Sequence, residues 1–307
     1  MLQSKSVNKS ILLFVITSIL LFNSGFAQSL TRFEKKGKQG FKNEAGKVVI
    51  EPIYQDAYLF REGLAAVKLN DRWGYIDSTG KEVIPFNYNA AYYFKEGLAV
   101  VKIGYKAGLI DHAGKVVLPI EYDDVLGFSE GLCCLRKNGG YGYINKAMEV
   151  VIPFQYLTAY SFSSGYARAT KMTEDRVDWR AGFINKAGKE MTPFEYKSTS
   201  DFAEGMALVE KDSKVGYYDL DFKMPIPIQY DNGRSFSQGL AAVNKGATGT
   251  ESWSKKGGKW GFIDKTGAVI IPFIYDEAFS FQENGKASVK KDGKSIHINI
   301  KGDIVPE

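Results

Sequence analysis

Cysteine and histidine are nearly absent from this chain, with two of each in 307 residues. Cys133 and Cys134 are adjacent. Neighbours on a strand point to opposite faces, so a bond between them would be strained. They replace Ala65 and Ala66 two repeat units earlier, as small apolar fillers. A disulfide framework is excluded. His112 and His297 lie far apart, and no His, Cys and carboxylate cluster has metal-ligand spacing. No metal and no cofactor is expected. Neither sign of charge dominates: 40 basic side chains face 35 acidic ones, a net of +5. That balance argues against a dedicated nucleic-acid binder, which would carry a clustered basic face. Helical periodicity is missing over any stretch of ten residues.

Long apolar runs are missing too, with one exception. Ile11 to Phe22 is apolar apart from Thr17 and Ser18, follows Lys5 and Lys9, and leads to Gly25 and Ala27. This is the layout of an export leader cleaved between Ala27 and Gln28. It is short for a membrane span, which takes about 20 apolar residues. Residues 1–27 are therefore expected to be a signal peptide, and 28–307 an exported chain without a membrane span, periplasmic or secreted. Loss of the leader takes the net charge from +5 to +3.

What is present is repetition. Glycines recur as Gly40, Gly74, Gly108, Gly142, Gly182, Gly216 and Gly261. The first three steps are 34 residues, and the later ones are 34 or 34 with insertions. A fixed period of this size marks a repeat architecture. Units begin near residues 30, 64, 98, 132, 166, 206, 240 and 286. The second unit shows the pattern: Leu64–Leu69, then Trp73–Asp77, then Lys81–Pro85, with polar breaks between them. These are three short strands with turn signals. The expected fold is all-β: eight tandem three-stranded repeats.

Several columns support this. Asn43, Asp77, Asp111, Asn145, Asn185, Asp219, Asp264 and Asn299 share one position, and glycine follows three residues later except at Met148 and Phe222. Asx then Gly at that spacing is a type I turn whose side-chain oxygen caps backbone N–H groups. A calcium ladder would need more oxygens converging on one point. Two aromatic columns, Phe60/Phe94/Phe128 onward and Tyr54/Tyr88/Tyr122 onward, are expected to form the core. Glu62, Glu96, Glu130 and Glu204 are expected to form a solvated face.

Trp73-Gly74-Tyr75-Ile76-Asp77 followed by Gly80-Lys81-Glu82-Val83-Ile84-Pro85, together with Trp260-Gly261, Tyr141-Gly142 and their surrounding columns, resembles the WG-repeat (KWG-type) family of bacterial proteins. The resemblance covers nearly all of 28–307. It implies the repeat and names no reaction or ligand. The tryptophan gives way to Gln39, Ala107, Ala181 and Val215, which implies packing at that position and not shared chemistry. Worn first and last units suit the caps of an open solenoid. A propeller blade would use about 40–45 residues and four strands. A curved solenoid-like array is favoured, with a closed propeller-like ring as the alternative, since the Tyr-to-Phe connection could hide a fourth strand.

Function is less legible. No serine sits in a nucleophile elbow, and Lys255-Lys-Gly-Gly-Lys259 does not lead from a strand into a helix. Asp123-Asp124 and Glu174-Asp175 are acidic pairs of a kind common on any surface. The chain is expected not to be an enzyme. Two insertions, one carrying Trp179 and Arg180 and the other Trp253 and Lys255, fall in the same first hairpin of their units. Loops on a rigid scaffold carry recognition, and tryptophan beside a cation is typical of contact surfaces. These four residues are the candidate binding patch. The partner is a protein, with a glycan or cell-wall polymer as the alternative.

Overall fold

The structure is a computed structural model that describes residues 29–249 and 255–306. The expected leader and Trp253 lie outside the described residues. Among the described residues there is no helix, and the strands form eight antiparallel sheets. The second sheet is typical: Asp56–Ala57, Leu64–Leu69, Arg72–Asp77 and Glu82–Tyr88, hydrogen-bonded in that order. Six sheets have four strands, so the Tyr-to-Phe connection does hold a fourth, of two residues in most sheets. The first sheet lacks it and starts with Thr31–Lys35.

Three turns close each four-stranded sheet. The short strand enters the next through a two-residue turn, as at Glu62 (φ 50°) and Gly63 (φ 85°) between the bridged Arg61 and Leu64. Both central residues are left-handed, the type I′ geometry that matches strand twist. On the same rim, the Asx turns form as expected. Gly80 N donates to Asp77 O at 2.9 Å, and Asp77 Oδ1 accepts from Thr79 N and Lys81 N. Met148 and Phe222, the two exceptions to glycine, hold φ of 64° and 57°. The hairpin between the two central strands projects from the opposite rim.

The repeating glycine has a steric cause. In the second sheet Trp73 pairs with Tyr88 and Tyr75 with Ile84, so the facing strand bulges over Gly74. A Cβ on Gly74 would lie 2.7 Å from Ile84 O, inside contact distance. Gly40, Gly108, Gly142, Gly216 and Gly261 meet the same carbonyl of their own facing strands at 2.6–2.7 Å. The Val-Ile-Pro strand and the glycine opposite it are thus one device.

Seven buried clusters hold the array, and each joins two successive sheets. None of them joins the eighth sheet to the first among the described residues, so the couplings form a linear succession. The expected aromatic columns fill these clusters, with Phe94, Phe162, Tyr156 and Tyr196 almost wholly buried. Cys133 belongs to the cluster between sheets three and four, and Cys134 to the next. Both are free thiols on opposite faces.

The glutamate column is exposed, as expected, and in addition forms a seam between sheets. Glu62 Oε2 accepts from Gly97 N at 3.0 Å, Glu130 Oε2 from Gly165 N at 3.0 Å, and Glu204 from Gln238 N and Gly239 N. His112, Lys186 and Lys265 pair with these same carboxylates from the following sheet, and Lys146 pairs likewise with Glu96. The physical reason is that a type I′ turn leaves an N–H without a partner in its own hairpin, and the preceding sheet's carboxylate supplies one.

Candidate functional site

The hairpin tips on the opposite rim are fixed within their own sheets. In five sheets the residue after the Tyr of the Tyr54 column caps the tip that follows. Gln55 Oε1 accepts from Asp71 N at 2.7 Å, Asn89 Oδ1 from Gly104 N at 2.8 Å, and Asp231 Oδ2 from Gly246 N at 2.6 Å. In sheets five and six that position is Leu157 and Lys197, neither of which can accept a hydrogen bond. The first insertion emerges where this capping lapses.

That insertion folds on itself. Thr173 N donates to Asp178 O at 2.9 Å, and Arg176 adopts φ 58°. Val177 at the tip is 81% exposed. Trp179 begins the returning strand Trp179–Asn185 and is 44% exposed. The Lys197 ammonium sits 4.5 Å from the centre of its ring. Asp178 orders the group: Arg180 bonds its Oδ2, and Lys197 Nζ lies 3.4 Å from Oδ1. The Arg180 guanidinium and the Trp179 N–H hold the Asp178 carboxyl down at about 2. Arg180 also donates to Trp179 O at 2.8 Å.

Trp179 walls a cleft of about 460 Å³ with Leu157, Tyr160, Arg168, Lys197 and Thr199. The Arg168 guanidinium stacks 3.9 Å from the Tyr160 ring centre. It is fixed there by Asp201 through Nε (2.6 Å) and Nη2 (3.2 Å), and by Thr199 O at 3.0 Å. The cleft is thus apolar at its base and has cations over its aromatic faces.

Lys255 lies on the far side of the sixth-sheet tip. Its ammonium donates to Ser213 O and to Asp231 O, the latter at 2.7 Å, and burial pushes its pKa down. Asp231 is itself buried. Burial alone would raise its carboxyl, but Lys214 and the N–H groups of Gly246 and Ala247 hold it below the usual range. A small polar cavity of about 230 Å³ reaches from Asp178 and Arg180 to Asp212 and Ser213. Trp179, Arg180 and Lys255 therefore flank one hairpin tip. Trp179 is presented to solvent, whereas Arg180 and Lys255 are engaged as struts. Among the described residues, no three His, Cys, Asp or Glu side chains converge as a metal site.

One exposed column escaped the sequence analysis. Tyr58, Tyr92, Leu126, Tyr160 and Phe279 follow the short strands and are 37–48% exposed. Their 34-residue spacing over the first four was the available signal. Carbonyls at this repeat position are used inside: Tyr75, Tyr143 and Tyr217, each one residue after the repeating glycine, donate their hydroxyls to the carbonyls of Tyr92, Tyr160 and, at the equivalent position, Arg234. Tyr105, at another tip, is 96% exposed.

The WG containing repeat matches residues 40–73, 73–106, 108–141, 141–171, 182–214, 216–248 and 260–294. The chain belongs to the WG-repeat family. A comparison with curated proteins found no match. Among solved structures, a eukaryotic initiation factor is similar at 10% identity and a TM-score of 0.57, covering 91% of this chain and 84% of that one. BamB from Moraxella catarrhalis is 10% identical with a TM-score of 0.43, covering 90% of this chain and 93% of its own. Hsv2p from Kluyveromyces lactis is 5% identical with a TM-score of 0.40, covering 80% and 92%. At such identities the likeness is one of fold alone.

Proposed function

We propose that this WG-repeat protein is an exported, non-enzymatic scaffold that binds a partner protein through the rim around Trp179. The leader-like composition of residues 1–27 supports export. The observation that carries the binding reading is the cleft at Trp179: an aromatic side chain 44% exposed, beside an apolar floor and a charged border. Protein contact surfaces favour an aromatic anchor with a polar rim. A sugar-binding platform would instead present open aromatic faces. Here Lys197 covers the Trp179 ring and Arg168 the Tyr160 ring, while Tyr58 and Tyr92 are inclined at 37° to each other. Arg180 and Lys255 frame the patch.

The test places a photo-crosslinking amino acid at Val177, with the chain expressed in its own host. Protein adducts that disappear on Trp179→Ala support the reading. Absence of adducts, together with Trp179-dependent binding on a glycan array, would replace it with the carbohydrate alternative.

A further inference from the structure

A second cavity lies between sheets three and four, away from the Trp179 rim. It arises from a local departure in the repeat. Leu59, Tyr93 and Ser161 hold the second position after the short strand in sheets two, three and five; in sheet four that position is Gly127. Gly127 takes φ +79°, and the short strand is extended to Asp124–Ser129 with a bulge between Val125 and Phe128. The missing side chain leaves a cavity of about 500 Å³. Tyr92, Tyr93 and Leu126 wall it at 38%, 49% and 44% exposure, and Leu98, Val100 and Phe128 contribute apolar lining. Pockets of this size take a bulky side chain or a small ligand.

The charge around the cavity is uneven. Lys102 is neutralised by Asp124 at 3.0 Å. Lys95, at the mouth, has only the Ser129 hydroxyl at 3.3 Å and no carboxylate partner among the described residues. The neighbouring groove shares Tyr93 and Lys95 and adds Arg61, which also forms no ion pair among the described residues. Its one acid, Glu62, already accepts from Gly97 N and faces His112. Lys95 at the cavity mouth and Arg61 in the adjoining groove are therefore two cations without a carboxylate partner among the described residues.

We propose that this groove binds an extended acidic peptide segment, one bulky aromatic side chain entering the Gly127 cavity and its flanking carboxylates meeting Lys95 and Arg61. The reading deepens the protein-binding function but uses a surface separate from Trp179, so either can fail alone.

The test uses the full chain and a fluorescein-labelled acidic nonapeptide with one central tryptophan, followed by fluorescence polarisation. Saturable binding is expected, weakened by salt as charge pairing requires. Replacing the peptide tryptophan by alanine, or its acids by lysine, should each weaken binding about tenfold or more. Tyr92→Ser/Tyr93→Ser should do the same. Serine is what the repeat itself holds at Ser200 and Ser161, so the fold tolerates it. Lys95→Glu should weaken the acidic peptide and improve the lysine version. Trp179→Ala should change nothing. No binding up to about 1 mM, or binding indifferent to Tyr92, Tyr93 and Lys95, would overturn the proposal.

Discussion

Gly142→Ala tests the steric account of the repeating glycine. The new methyl carbon would sit 2.6 Å from Ile152 O and 2.9 Å from Phe154 N and Pro153 C. All three are backbone atoms of the facing strand, which is held at both ends of its bulge by Tyr141–Tyr156 and Tyr143–Ile152 pairing. Tyr143 and Ile152 also lie in the cluster between sheets four and five. The strand cannot withdraw without disturbing that packing. Overpacking of this kind costs about 1–3 kcal/mol, and the upper half of that range applies because no flexible side chain can yield. Two companions separate the causes. At Gly182 the three atoms nearest the added carbon all belong to the Phe194 ring, the first at 2.9 Å, and a ring can turn away, so Gly182→Ala should cost about 1 kcal/mol or less. At Gly165 there is space but φ is +84°, so alanine there should cost about 1 kcal/mol through backbone strain. Urea unfolding followed by far-UV dichroism and tryptophan fluorescence measures all three, and agreement of the two probes tests for a single transition. If Gly142→Ala proves no more destabilising than Gly182→Ala, the facing backbone is not what requires glycine.

Burial pushes the Cys133 thiol up to about 12 and raises Cys134 as well. Neither should react with a thiol reagent at pH 8 in the native chain, and both should react at once in concentrated guanidinium; native-state reaction would contradict the packing. Asp178 has its carboxyl depressed from 3.8 to about 2. Its contacts with Arg180 and Lys197 should therefore contribute fully above pH 3.8 and be lost as pH falls through about 2, seen as a Trp179 fluorescence change absent in Asp178→Asn. Finally, four Gly/Ser residues inserted between Asn138 and Gly139 should cost less than about 1 kcal/mol, as lengthening a loop does. The same insertion between Glu130 and Gly131 should cost about 1–2 kcal/mol more, through lost hydrogen bonds to the next sheet. Urea midpoints of the two variants decide it.

The all-β repeat was legible because its signals are local. Asx then glycine at fixed spacing is turn chemistry, and the aromatic columns mark faces that a two-residue period sends inward. The fourth strand was not legible, since two residues such as Asp56-Ala57 carry no periodicity. The role of Glu62, Glu130 and Glu204 was hidden for another reason: their acceptors' partners lie 34 or 35 residues away, and only the stacking of sheets brings them within 3.0 Å. At the candidate site, the insertions bearing Trp179 and Lys255 stood out as breaks in the period. That Lys255 would turn inward to Ser213 O and Asp231 O did not, because a lysine on a glycine-rich loop looks the same whether it faces solvent or a backbone carbonyl.

The two rims obey different constraints, and this explains where the chain varies. On the Glu-Gly rim, three turns bind a neighbouring sheet directly: Gly97 N to Glu62, Gly165 N to Glu130, Gly239 N to Glu204. A longer turn there would remove an acceptor or donor from a neighbour, and the loss would reach both sheets. On the opposite rim, tips are capped from their own sheet where they are capped at all, as Asp71 N is by Gln55 and Gly104 N by Asn89. Lengthening such a tip disturbs one hairpin and leaves the stacking intact. Both insertions, after Met172 and after Thr248, occur on this second rim. The first coincides with Leu157, where the capping side chain is already absent. A scaffold locked along one edge is free to diversify along the other, and Trp179 stands on the edge where new side chains can be added without loosening the array.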